Sequence, residues 1–299
     1  MKQERYASPA AFKQAVEHRL RAQAAADGVE LARLRQLLVF DRFLARISAA
    51  FGDRAILKGG LVLELRLKRA RTTKDIDLRL LGNPEAALGK LQQAGRLDLD
   101  DFLVFEVLPD PRHPEIKAQG MAYPGRRYRV RGLLAGKIFG TSFALDVAFA
   151  EPLWGDVERI EGSAFLAFAG VKSARLRIYP LEAHIAEKLH AYSLPRSRPN
   201  IRVKDLPDIA LLASVRALQA TVLRTAFKKT FEARKTHDLP GATPHPPAAW
   251  AAVYETMALN DCLRWSTLHQ LFKAVAAFLD PVLSGEKGRW DPKSWSWLR

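Results

Sequence analysis

A chain of 299 residues, 48% hydrophobic and 26% charged, has the profile of a soluble globular protein with room for two domains. Its single cysteine, Cys262, excludes an internal disulfide; no apolar run approaches the roughly 20 residues that span a bilayer; and the opening MKQERYASPAAFKQAVEHRL lacks the make-up of a secretion signal, so a cytoplasmic location with no membrane partner is expected. The net charge of +15 suits a polyanionic partner, nucleic acid or another polyphosphate, although solubility alone also accounts for a basic surface; from residue 171 onward 20 Lys and Arg face 11 Asp and Glu, so the shorter C-terminal part is the more basic.

In chain order, residues 8–26 and 28–51 are predicted helices, the second (LARLRQLLVFDRFLARISAAF) on apolar residues at i, i+3, i+4 and i+7. AILKG reads as a short strand ending at glycines. GLVLELRL is strand-like in composition, but after Gly59-Gly60 it is taken as a helix. KDIDLRLL alternates as a strand does, NPEAALGKLQQA is a predicted helix and DFLVFEVL a strand. A turn region spans Gly120 to Gly125, followed by RRYRVRGLLAG and KIFGTSFALDVAFA as paired strands and VKSARLRIY as a last strand or connector. From Pro180 the texture turns helical, in LEAHIAEKLHAYS, KDLPDIALLAS, RALQATVLRTAFKKTFEARK and STLHQLFKAVAAFLDPVL, with LPGATPHPPAAW as a proline-rich connector. The three tryptophans of WDPKSWSWLR are expected to anchor packing. The result is an α+β chain: a mixed α/β N-terminal domain over residues 1–174, then an all-helical domain over 175–299.

Asp75 and Asp77 are the acids that stand out. On a strand, residues i and i+2 face the same way, about 7 Å apart, while Ile76, Leu78 and Leu80 point to the other face. Two carboxylates so close repel unless a cation lies between them, and Mg²⁺ prefers such hard oxygen ligands. For an isolated DxD, a solvated strand face carrying two ordinary acids is the better explanation. The surroundings shift that balance. Gly59-Gly60 upstream leaves room for a phosphate to approach the backbone amides. RLKRARTTK between them, with Arg66, Lys68, Arg69, Arg71 and Lys74, is either a loop that meets a triphosphate or an exposed charge run. In FALDVAFAE a third acid, Asp146, stands among alanines on the face opposite Phe143, Leu145, Val147 and Phe149. Three carboxylates on neighbouring strands fit two-metal phosphoryl or nucleotidyl transfer. Asp75 and Asp77 would hold the metal that binds the triphosphate, and Asp146 would share the second and help activate the attacking hydroxyl.

A glycine pair, a DxD on a following strand and a third Asp on a later strand resemble the DNA polymerase β-like nucleotidyltransferase superfamily. More narrowly, LKGGLVLELRL…RTTKDIDL, ALDVAFAEP, YPLEAHIAEKLHAY and RVKDLPDIALL, in that order from about Leu57 to Leu212, resemble the AbiEii-like nucleotidyltransferase toxins of abortive-infection systems, as does the tail FEARKTHDLP…HPPAAW. The resemblance implies a nucleotidyltransferase domain with a helical C-terminal domain, Mg²⁺ or Mn²⁺, a nucleoside triphosphate donor, and a toxin neutralised by a separately encoded antitoxin. It implies RNA as acceptor, with tRNA acceptor ends the expected target, and the chain is expected to be a monomer. Gly60 departs from the superfamily, where a serine is common. A protein or small-molecule hydroxyl is the alternative acceptor, and a non-catalytic basic nucleic-acid-binding protein the alternative class.

Beside the resemblance, EAHIAEKLHAY places Lys188 where a point charge could meet the donor's phosphates; a surface lysine is the plain alternative. His184 and His190 are expected to be structural or exposed, and Glu187 to orient Lys188 or be solvated. In RVKDLPDIALL, Asp205 and Asp208 share one helix face. They could be the acids of a helix N-terminus with Pro207 early in it. Alternatively Lys204 contacts base or phosphates while Asp208 or Asp205 serves as general base or orients Lys188. Arg71, Thr72, Thr73 and Lys58 complete the candidate phosphate-binding set.

Overall fold

The computed structural model describes residues 6–67, 73–116, 123–196 and 200–298. Two helices open the chain, α1 (Pro9–Asp27) and α2 (Leu31–Phe51). α1 begins where the extended Ser8 accepts a hydrogen bond from the Ala11 N–H and a proline takes the first turn; it stops at Gly28, φ +64°. α2 buries Leu38, Val39, Phe40, Phe43, Leu44 and Ile47. It also buries Arg42 and Arg46, because both donate to Asp101, Arg42 Nε at 2.7 Å and Arg46 Nη1 and Nη2 at 2.9 and 2.6 Å. Unpaired, these charges could not stay there.

Next come β1 (Ala55–Lys58), α3 (Gly59–Arg66), β2 (Ile76–Leu80), α4 (Ala87–Gly95), β3 (Leu103–Pro109), β4 (Gly125–Leu134), β5 (Lys137–Ile138), β6 (Phe143–Phe149), β7 (Glu158–Glu161) and β8 (Arg175–Ile178). The strands form one mixed sheet in the order β3-β4-β6-β2-β1-β8-β7, with β5 on β4. β2 and β6 are parallel, as are β1 and β8; the other neighbours are antiparallel. The first half of the turn region expected at Gly120–Gly125 lies outside the described residues.

The period-two pattern sorts the faces. Ile76, Leu78 and Leu80 on β2 and Phe143, Leu145, Val147 and Phe149 on β6 are buried in one core with the apolar residues of α2. Their neighbours point the other way, and the register lines them up. Lys58 on β1 stands opposite Asp77 on β2, Asp77 opposite Asp146 on β6, and Asp146 opposite Arg127 on β4. Four charged residues from four strands form a single row across the sheet.

The sheet's strand β8 ends at Ile178, and helices follow: α5 (Leu181–Ser193), α6 (Asp205–Ala213), α7 (Ala220–Arg234), α8 (Ala251–Asn260) and α9 (Leu268–Ser284). They pack around a second core with Ile185, Leu206, Phe227, Tyr254 and Phe278, which Leu63 of α3 joins. The all-helical expectation needs correction. β9 (Leu218–Gln219), β10 (Arg289–Asp291) and β11 (Ser296–Leu298) form a small antiparallel sheet. Asp291 turns the β10–β11 hairpin by accepting from the Lys293 and Ser294 N–H groups. The hairpin's indoles then donate into the helices, Trp290 to Ala213 O at 2.8 Å and Trp295 and Trp297 to Ala274 O and Phe278 O at 3.0 Å. The tryptophans are packing anchors, as expected. α8 escaped the sequence reading because its apolar residues are not confined to one side: Tyr254 and Ala258 are buried, whereas Val253 and Leu259 are exposed. Among the described residues no helix is long and apolar enough to cross a membrane.

Candidate active site

A cleft of about 740 Å³ opens between the charged row of the sheet and the side chains of α5 and the α6 start. Its size suits a nucleotide-sized ligand. The floor turns from β1 into α3 at Gly59-Gly60. Gly59 has φ +71°, and a Cβ there would stand 1.9 Å from Oδ2 of Asp77. The glycine therefore lets the Asp77 carboxylate sit directly against the backbone where α3 begins, beside amides with no partner inside the helix.

Asp75 is exposed and Asp77 half-buried at this floor. Burial, then the negative charge of Asp146, push the Asp77 carboxyl up to about 6, against the pull of Lys58 and Lys188. Asp146 is gripped by Arg127 through two parallel hydrogen bonds, Nε to Oδ1 and Nη2 to Oδ2, both 2.7 Å. Among the described residues no three acidic, cysteine or histidine side chains close around a point as a metal cage, and Arg127 occupies both oxygens of the third acid. The remaining pair, Asp75 and Asp77, offers hard oxygens at an anionic spot. That donor set suits Mg²⁺, which takes one or two carboxylates and completes its shell with water and phosphate oxygens.

The opposite wall carries Lys188 on α5. Its ammonium donates to Asp208 Oδ2 at 2.7 Å and Asp205 Oδ1 at 3.2 Å. Both acids lie in the first turn of α6 and are at most 2% exposed. Arg202 also donates to Asp205. The two readings of RVKDLPD thus coexist, since these acids open a helix containing Pro207 and hold Lys188 as well. Lys204 lies at the mouth of the cleft, exposed.

Lys58 lines the cleft, but its ammonium is engaged by Glu151 and, at 3.2 Å, by Glu187. Arg234 of α7 reaches both acids at 3.1 Å. Tyr123 donates to Glu151 and Tyr179 to Glu187. Burial works against the Lys58 charge, yet Glu187 and Glu151 outweigh it and hold its pKa above the ordinary lysine value. Burial likewise opposes the Glu187 carboxylate, and Lys58 with Arg234 nonetheless hold it below the usual range. Sequence reasoning singled out neither Arg234 nor Tyr123 and gave Glu151 no role. Arg234 and Glu151 are 83 residues apart in the chain, so no local spacing could mark the pair.

Thr73 is buried and anchored, its N–H donating to Glu64 Oε2 at 3.4 Å and its carbonyl accepting from Arg33 at 2.9 Å. Arg71 and Thr72 lie outside the described residues. His190 is structural: its Nε2 bonds Thr236 Oγ1 at 2.8 Å, and burial lowers its pKa to about 4. His184 differs. It lines the cleft, is 3% exposed, and among the described residues neither ring nitrogen has a hydrogen-bond partner. Burial and then Lys188 lower its pKa to about 3, so the ring is neutral.

The sequence profile of the family described as nucleotidyl transferase AbiEii toxin, type IV toxin–antitoxin system, matches residues 42–277. Among solved structures the chain is similar to MenT4, a nucleotidyltransferase toxin from Mycobacterium tuberculosis H37Rv, with TM-score 0.56, 16% identity, and coverage of 93% of this chain and 92% of that one. It is also similar to JHP933 from Helicobacter pylori, with TM-score 0.43, 16% identity, and coverage of 84% and 90%. At 16% identity the likeness to MenT4 establishes a shared fold over nearly the whole chain. Comparison with curated proteins finds no match.

Proposed function

Because the chain belongs to the AbiEii family of nucleotidyltransferase toxins of type IV toxin–antitoxin systems, we propose that it moves a nucleoside monophosphate from a Mg²⁺-bound nucleoside triphosphate onto RNA, at the acceptor end of tRNA. The observation that carries this reading is the carboxylate floor, Asp75 and Asp77 with the Arg127-paired Asp146 in register, facing Lys188 across one cleft. The net charge of +15 supports a polyanionic acceptor.

In this reading Asp75 and Asp77 hold the divalent ion, which when bound neutralises the triphosphate's charge and polarises the phosphoryl group. The amides at Gly59-Gly60, at the start of α3, bind phosphate oxygens. Lys188 supplies positive charge to the phosphates. Asp205 and Asp208 are positioning residues: their bonds to the Lys188 ammonium support orientation, and their burial leaves no path for an acceptor hydroxyl to Asp208. Lys204 and Thr73 contact the donor at the cleft mouth and floor. Lys58 acts through its ion pairs, bracing the sheet against α5 and α7. The acceptor hydroxyl oxygen forms a bond to the α-phosphorus as the bond to the bridging oxygen breaks; pyrophosphate leaves, and the hydroxyl proton passes to Asp146 once Arg127 releases one of its oxygens. An antitoxin encoded with the toxin is the neutralising partner.

The test is incubation with Mg²⁺, total RNA and each α-labelled nucleoside triphosphate in turn, beside an Asp77→Ala control. Label entering a tRNA-sized band from one triphosphate, with wild type only, is the expected result. Label entering protein or a small molecule instead would move the acceptor; equal labelling by Asp77→Ala would remove the carboxylate mechanism.

A further inference from the structure

His184 is, among the described residues lining the cleft, the one whose side-chain polar atoms are all shielded from water and unbonded. It sits on α5 one turn before Lys188, so the two side chains share a helix face. The charged groups around it are Lys188 and Glu187 on its own helix, Asp208 on α6 and Arg66 on α3. Each has partners of its own. Lys188 bonds Asp205 and Asp208; Glu187 bonds Lys58 and Arg234; Arg66 bonds the Tyr179 carbonyl at 2.9 Å and Glu158. Arg66 Nε is left unbonded too, but Arg66 keeps its two Nη partners, whereas among the described residues His184 has no hydrogen-bond partner at either nitrogen. Buried imidazoles in native proteins are normally hydrogen-bonded, and an apolar residue would fill the same space without stranding two nitrogens.

A neutral imidazole has one N–H to give. Phosphate oxygens only accept, so a triphosphate in this cleft supplies the missing acceptor, and its negative charge favours the imidazole as a donor. Lys188 is the flexible side chain one turn on, and it faces the same ligand. We propose that His184 is a binding residue for the donor's triphosphate, its ring N–H hydrogen-bonding a phosphate oxygen beside the Lys188 ammonium that Asp205 and Asp208 orient. The proposal rests on the nucleotidyltransferase reading and adds to it a residue that the sequence pattern marks only as structural or exposed.

Inorganic tripolyphosphate with Mg²⁺ is the probe, since it carries the phosphate chemistry without base, sugar or turnover. Binding is measured by calorimetry on wild type, His184→Leu and His184→Gln, alongside ¹⁵N NMR of the histidine rings, with the lost signal in His184→Leu giving the assignment. The expected result is that wild type binds and the His184 nitrogen signals shift on binding. His184→Leu should bind about 5- to 50-fold more weakly, the loss of one hydrogen bond to a charged group. His184→Gln, which keeps a donor, should stay within about threefold of wild type. The free His184→Leu protein should melt no lower than wild type, because it strands no polar atoms; a packing role predicts a lower melting temperature with unchanged affinity, and that result overturns the proposal. Unmoved ring signals in wild type, or equal binding by His184→Leu, overturn it too, and leave the nucleotidyltransferase reading in place. Wild type that fails to bind tripolyphosphate counts against that reading as well. Should His184→Leu not fold, the ring signals of wild type decide.

Discussion

Two sets of aspartates, one lining the cleft and one buried behind Lys188 at its wall, are treated by the fold in opposite ways. Asp205 and Asp208, in the first turn of α6, are almost fully buried, and the cations Lys188 and Arg202 meet them at hydrogen-bond distance. Asp77, on the sheet, is held within the influence of Asp146 and Asp75, and burial and these like charges outweigh the pull of Lys58 and Lys188 enough to raise its pKa to about 6. Residue type and approximate spacing are the same in both places. Neutralised acids belong to the scaffold; an acid left with unrelieved repulsion against the backbone of a helix start is where a cation and a phosphate have something to gain.

This contrast can be broken most directly at Asp77. Asp77→Asn should lower nucleotidyl transfer by about 1000-fold or more. It should also raise the melting temperature of the metal-free protein at pH 7. The sign follows from the raised pKa: the wild-type protein gains stability as pH falls through about 6 and Asp77 takes up a proton, so the advantage of the asparagine should shrink between pH 7 and pH 5. Melting curves in chelator at both pH values check this, and a lower melting temperature for Asp77→Asn at pH 7 would show that the acid is compensated after all.

Gly59→Ala tests the close approach that places this acid. The added methyl has no room beside Asp77, and φ +71° strains any residue with a side chain. Transfer should fall about 100-fold, with a stability cost of about 1–3 kcal/mol, read by single-turnover labelling and chemical denaturation. Wild-type activity would mean that Asp77 can move without consequence for the reaction.

Asp208→Asn sharpens the comparison from the other side, because here the sign should invert. Removing one acid leaves the Lys188 charge under-paired in a buried place, and the protein should lose about 3 kcal/mol of stability, with transfer down about 10- to 100-fold. Denaturant midpoints of Asp77→Asn and Asp208→Asn measured side by side settle the contrast. If both move the same way, neutralisation does not separate the two sets.

The smallest effect is expected at Arg127, which is 37% exposed and pairs with Asp146. A pair this open to water is worth about 1 kcal/mol or less. Arg127→Gln should therefore tighten Mg²⁺ binding about two- to fivefold by freeing Asp146, measured by calorimetry, with little change in melting temperature. Weaker Mg²⁺ binding would instead make Arg127 a brace that holds Asp146 ready.

Much of this was written in local pattern. The alternation of KDIDLRLL and FALDVAF, the glycine pair between a strand and a helix, and the helical spacing of α2, α5 and α9 came through in the structure because each depends on neighbours within a few residues. They placed Asp77 and Asp146 on adjacent strands, although Asp75, expected on the same strand as Asp77, sits one residue ahead of β2, and they placed Lys188 with Asp205 and Asp208 in the helical part. The small sheet β9-β10-β11 and helix α8 were not legible: two-residue and three-residue strands carry no period, and an apolar helix without a single buried face has none to show.

By itself, then, the sequence determined the α+β class, the strands that carry Asp77 and Asp146, the helices that carry Lys188, Asp205 and Asp208, and the chemistry those residue types can perform, since periodicity and side-chain type are local properties. Only the tertiary structure decided which charges meet. It turned Arg127 onto Asp146, committed Lys58 to Glu151 and Glu187, brought Arg234 from α7 to the same acids, and left His184 without a partner. Those pairings depend on strand register and on how α5, α6 and α7 seat against the sheet, so residues far apart in the chain compete for the same few ångströms.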